Sequence, residues 1–201
     1  AVVAGHSMGG FVAVVMANLY PDRVEQLVLI DGGIPLAIPE SVDVDAVLQA
    51  VIGPAMARLS MTFPTRQAYR DFWRPHPALA DWWSPVVEAY VDYDIGGEEP
   101  DLRSRVSIDA VRGDATDTLL HTTVADAVAG LKHPAVWLRA PRGLMNEVPP
   151  LYPDAVAADV VARTPMLTDT VVPDVNHYTI ALAPHGASIL AEHIRAAAAA
   201  S

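Results

Sequence analysis

The stretch Gly5-His6-Ser7-Met8-Gly9 constrains the fold of this 201-residue chain more than any other. It follows a short apolar run, residues 2–4, and precedes the helix-forming run of residues 11–20, which Pro21 stops. In a strand–GxSxG–helix arrangement the serine occupies a sharp, strained turn, and the flanking glycines leave room for the neighbouring strand and helix. Such a turn lifts the Ser7 hydroxyl above a sheet. It also sets the Met8 amide at the start of the next helix, where it can bind an oxyanion. Ser7 is therefore read as a nucleophile, against the plainer reading of an incidental glycine-rich turn.

Residues 24–30 (VEQLVLI) form a second apolar run with strand character, ended by Asp31-Gly32-Gly33. Strand, turn, helix and strand with short connections predict a parallel α/β unit. From residue 34 to about 131 the character changes. Prolines are frequent, helices are expected at 42–52 and 85–93, and no strand alternation is evident. The α/β pattern resumes with a strand at 135–139, a helix at 154–163 and a strand at 167–172. The loop PDVNHYT and a helix from about residue 186 follow. The fold class expected is α/β, with a parallel-sheet core in two blocks, 1–33 and 132–201, and a helical lid inserted at 34–131.

Composition narrows the partners. At 52% hydrophobic and 18% charged residues the chain is globular. Its net charge of −11, with Lys132 the sole lysine, disfavours nucleic acid and anionic membranes as partners. Cysteine is absent, so disulfides and thiolate metal sites are excluded. No histidine pair has the spacing of a metal site on a helix face, and neither a metal nor an organic cofactor is expected. No apolar run reaches the roughly 18 residues of a membrane span, and a cytoplasmic location is expected.

Together GHSMGG, YPDRVEQLVLIDGG, the helical insertion and NHYT resemble the α/β-hydrolase family with a cap domain. The resemblance implies the chain order serine, acid, histidine, with the histidine in a loop after the last strand. His177 holds that position. The acid is open between two residues. The family's usual place is the loop LRAPRGLMNEVPPLY, where the aspartate position falls on Gly143, Asn146 carries no charge, and Glu147 is the available carboxylate. A minority of the family places the acid after the strand that follows the nucleophile helix, which here is Asp31, the preferred candidate.

The resemblance further implies a serine hydrolase acting on a small ester-like substrate, with carbon–carbon bond hydrolysis possible through the same residues. A non-catalytic binding or scaffold protein of the same fold is the alternative. His6, Gly32, Trp82 and Trp83 are the expected substrate-binding residues, with Met8 as oxyanion donor. Phe63, Phe72, Trp73 and Tyr90 either join the pocket or simply pack the lid helices together. An apolar, acidic-rimmed entrance is expected to disfavour anionic substrates. Members of the family carry several strands before the nucleophile turn, and the expectation is of the C-terminal two-thirds of a larger hydrolase. The other possibility is a homo-oligomer that completes its sheet through residues 2–4.

Overall fold

Leu27 and Leu29 pack on one side of their strand, Val28 and Ile30 on the other, and all four are buried. A strand covered on both faces reads as an unbroken apolar run because neither side is left for polar residues. The computed structural model describes residues 1–36, 43, 45–47 and 55–200. In it β1 (Val2–His6) and β2 (Gln26–Ile30) join β5 (Ala135–Arg139) and β6 (Leu167–Val171) in a parallel sheet of order β1-β2-β5-β6. The same period-2 split recurs in β5, where Ala135 and Trp137 join one cluster and Leu138 the other.

α1 (Met8–Leu19) covers the Leu27 face through Phe11, Val14 and Ala17. α6 (Asp154–Arg163) adds Ala157 to the same cluster. The opposite face is covered by α8 (Pro184–Ala199), whose Leu190 and Ala197 meet Val28 and Leu138. α7 (Thr179–Leu182) precedes α8 and contributes Ile180. The expected helix at 154–163 and strand at 135–139 are found with those bounds. The first helix starts at Met8, earlier than expected, because tertiary contacts override the low helix propensity of Gly9 and Gly10.

Between β2 and β5 lie α2 (Arg66–Trp73), α3 (Pro85–Asp94), α4 (Ile108–Leu120) and α5 (Thr123–Ala129). Three of them start on side-chain caps: Thr65, Ser84 and Ser107 accept from the amides of Ala68, Val87 and Ala110. The helix expected at 42–52 falls largely outside the described residues. A strand pair that sequence reading did not find, β3 (Ile95–Gly96) with β4 (Arg103–Ser104), has two residues per strand, too few for alternation to show. Phe63, Tyr69, Trp73, Val87, Val91 and Leu102 form a separate core for this segment. α5 instead packs Val124, Ala127 and Val128 with the α1 side chains.

The end of β5 is tied to its surroundings by one buried arginine. Arg139, 3% exposed, donates to Asp169 on β6 at 2.6 and 2.8 Å, to the Tyr152 carbonyl at 2.7 Å and to Asp154 at the start of α6 at 3.1 Å. Among the described residues no helix is long and apolar enough to cross a membrane.

Candidate active site

β1 ends where Ser7 takes φ 53° and ψ −122°, a left-handed backbone that a non-glycine residue adopts only when its surroundings impose it. The Ser7 amide donates to the Ile30 carbonyl at 2.9 Å, so β2 pins the turn. Close packing does the rest. A Cβ at Gly5 would lie 2.2 Å from the Gly9 carbonyl oxygen, one at Gly10 would lie 2.8 Å from the Gly32 backbone, and one at Gly32 would lie 2.2 Å from the Ser7 carbonyl oxygen. Gly9 differs: a Cβ there meets no atom within 4 Å. The glycines that make room for the turn are thus Gly5, Gly10 and Gly32, which corrects the expectation that both glycines flanking the serine are sterically required.

Three elements bring three side chains into line above the sheet. The Ser7 oxygen lies 3.0 Å from His177 Nε2, and His177 Nδ1 lies 2.7 Å from Asp31 Oδ2. A carboxylate can only accept, so Nδ1 carries the proton and Nε2 presents its lone pair to the Ser7 hydroxyl. Asp31 is fully buried, with φ 43°, and its second oxygen, Oδ1, accepts from the Ala140 amide at 3.0 Å. Glu147, the other candidate acid, is turned elsewhere. It is exposed, lies over the Gly143 α-carbon and accepts from the Met145 amide at 2.6 Å.

Asn176, which sequence reading passed over, holds the histidine loop. Its Oδ1 accepts from the amides of Tyr178 and Thr179 at 3.0 and 2.9 Å, an Asx cap on α7. Its Nδ2 donates to the Ala78 carbonyl at 2.9 Å and to Asn146 Oδ1 at 3.3 Å. Asn146, on the loop after β5, is thereby tied to the loop that carries His177. An Asn two and three residues before amides that open a helix was the available signal.

His6 donates from Nε2 to the His177 carbonyl at 2.8 Å, and the two rings lie 4.8 Å apart. Burial first, then the neighbouring His177, lowers the His6 imidazole to about 4, which keeps it neutral near pH 7. It braces the histidine and also lines the chamber in front of Ser7.

That chamber, about 330 Å³, is bounded by Met8, Arg58, Trp73, Tyr90, Leu144 and Tyr178 among others. Three expected substrate contacts are corrected. Gly32 packs against the Ser7 backbone and does not line the chamber. Trp82 is 41% exposed, and Trp83 lies under the Arg74 guanidinium at 4.6 Å; neither reaches it. Trp73 and Tyr90 do, while Phe63 packs edge-on against Phe72 and Tyr69, and Phe72 stacks parallel to Tyr69. The rim is not acidic either: among the described lining residues the charged one is Arg58. The Met8 amide opens α1, where backbone N–H groups lack intrahelical acceptors. No cluster of side chains suited to a metal ion is found among the described residues.

A family model for the alpha/beta hydrolase fold matches residues 1–83. Among solved structures, E-2-(acetamidomethylene)succinate hydrolase is similar at 20% identity and a TM-score of 0.67, over 96% of this chain and 65% of that one. A peroxisomal alpha-beta-hydrolase from Saccharomyces cerevisiae is similar at 18% identity and a TM-score of 0.69, over 100% of this chain and 55% of that one. A marine microorganism esterase is similar at 18% identity and a TM-score of 0.60, over 96% of this chain and 69% of that one. The chain thus spans about two-thirds or less of the length of the first two. No curated protein sequence matches it. The chain is an α/β-hydrolase-fold protein.

Proposed function

We propose that this protein is a serine hydrolase that cleaves a carboxylic ester or a related acyl bond through an acyl-enzyme. One observation carries the reading: the continuous hydrogen-bonded chain from Asp31 through His177 to Ser7, at 2.7 and 3.0 Å, facing a chamber large enough for a small substrate. The hydrolase and esterase names among the structural neighbours agree with it.

In this reading His177 Nε2 takes the Ser7 proton as the oxygen attacks the substrate carbonyl, and Asp31 stabilises the imidazolium that forms. The carbonyl oxygen becomes an oxyanion, which the Met8 amide at the start of α1 binds. His177 then gives the proton to the leaving group, so the tetrahedral intermediate collapses to an acyl-Ser7. Water, activated by the same imidazole, releases the acid and restores the serine. The segment between β2 and β5 acts as the lid that walls the chamber, and His6 holds the His177 backbone in register.

Turnover of p-nitrophenyl butyrate tests the reading. The protein is expected to hydrolyse it with saturation, and Ser7→Ala to fall to the buffer rate. Equal rates in the two proteins would overturn it.

A further inference from the structure

Beside the chamber that opens on Ser7 lies a second one, also about 330 Å³, whose lining includes the exposed Tyr93 and Arg105. The two share Arg58, Trp73, Tyr90 and Val106 as walls, so they adjoin across these side chains. The distal chamber adds Asp94 and Arg105 to its lining.

Its charges do not balance. Asp94 is satisfied: Oδ2 accepts from Arg58 Nε at 2.8 Å and from the Tyr69 hydroxyl, and Oδ1 accepts from Ser104 at 2.9 Å. Arg58 is not. Its Nε serves Asp94 and the Tyr69 hydroxyl oxygen and its Nη1 the Ala55 carbonyl, while Nη2 has no hydrogen-bond partner among the described residues, although the side chain is only 14% exposed. Arg105 makes no ion pair among the described residues. Its guanidinium lies over the Tyr93 ring at 6.0 Å, and its amide is fixed to the Asp94 carbonyl at 2.7 Å. Trp73 between the chambers is 3% exposed, and its indole N–H has no close hydrogen-bond partner among the described residues. Among the described lining residues, two guanidinium groups against one carboxylate leave a surplus positive charge and unused donors, in a protein whose net charge is −11. Arg105 is exposed and its donors are solvated, whereas Arg58 is largely covered, so an anionic group beside Arg58 Nη2 makes a charge-assisted hydrogen bond that little water competes for.

We propose that the distal chamber binds the free carboxylate of an acyl substrate, so that the substrates are monoesters, or related monoacyl derivatives, of dicarboxylic acids. The planar fork of Arg105 suits a carboxylate, which accepts paired N–H groups, and Arg58 adds a single donor through Nη2. The scissile carbonyl then lies at Ser7 and the chain runs past Trp73 and Tyr90 to the anionic end. This inference rests on Ser7 as the nucleophile, and the expected exclusion of anionic substrates gives way to a preference for them.

The test is calorimetric binding of monomethyl adipate and dimethyl adipate to Ser7→Ala protein, which does not depend on turnover. The monoester is expected to bind about tenfold or more tightly than the diester. Adding Arg105→Gln brings the ratio towards one, whereas Arg112→Gln, an exposed arginine paired with Asp45, leaves it in place. Equal affinities, no binding of either ester, or a ratio unmoved by Arg105→Gln overturns the proposal. Turnover by the wild-type protein reads the nucleophile separately. Preferential binding without hydrolysis counts against Ser7 and keeps the carboxylate site; hydrolysis of both esters without preference does the reverse.

Discussion

Asp31 and His177 are joined at 2.7 Å through Oδ2 and Nδ1, and the other carboxylate oxygen of Asp31 is held at the end of β5 by the Ala140 amide. One buried side chain thus sets the orientation of the imidazole relative to the sheet itself. Asp31→Asn keeps the shape but can present an N–H to Nδ1, which reverses the tautomer. The expected outcome is a fall of about 10³- to 10⁴-fold in kcat on p-nitrophenyl butyrate with the fold retained by circular dichroism. Glu147→Gln, by contrast, is expected to stay within about threefold of the wild type. The opposite ranking would make Glu147 the acid.

The packing of the turn separates glycines that look equivalent. Gly32→Ala drives a Cβ to 2.2 Å from the Ser7 carbonyl oxygen and has only backbone to push against. A loss of about 3 kcal/mol in stability is expected, together with a displaced Ser7. Gly9→Ala meets open space on a helix and is expected to remain within about 1 kcal/mol of the wild type. Urea denaturation of the two variants measures both effects.

Arg139→Met removes the partner of Asp169 and leaves the Tyr152 carbonyl without its donor. Asp169 remains largely buried, at 23% side-chain exposure, so the unpaired charge is costly. A destabilisation on the order of 3 kcal/mol is expected in urea denaturation. A change below about 1 kcal/mol would mean that the network contributes little to folding.

Folding lowers His6 from 6.5 to about 4, through burial first and His177 second, and burial lowers His76 in the same direction. Between those values the unfolded chain binds more protons than the native one, so stability rises with pH from about 4 to 6.5 and is lost as pH falls through that window. His6→Asn removes one of the two contributions. Its stability difference between pH 4.5 and 7 is expected to be smaller than that of the wild type, and an unchanged difference would contradict the assignment.

Much of the core was legible because it is local. The unbroken run VLI in β2 and the GHSMG turn announce a buried parallel strand and a nucleophile position without reference to anything distant. The acid was legible only as a preference for Asp31 over Glu147, since the meeting of Asp31 with His177 depends on the loops after β2 and β6 converging, and Glu147 carries the same charge at the more usual place. Trp82 and Trp83 were misplaced for a related reason. Composition puts aromatics in the segment but does not say which face of a short helix or turn they occupy, and Trp73 and Tyr90 took the wall instead. Arg58 gave no signal in sequence because its partner Asp94 lies on another helix.

The most direct test of Ser7 as an activated nucleophile is labelling of the protein with a fluorophosphonate, read by intact mass and peptide mapping. A stoichiometric adduct on Ser7, formed at least about a hundredfold more slowly in His177→Ala, is the expected result. A folded protein that takes up no label, or that labels equally fast without His177, would show that the hydrogen-bonded chain from Asp31 to Ser7 does not activate the serine.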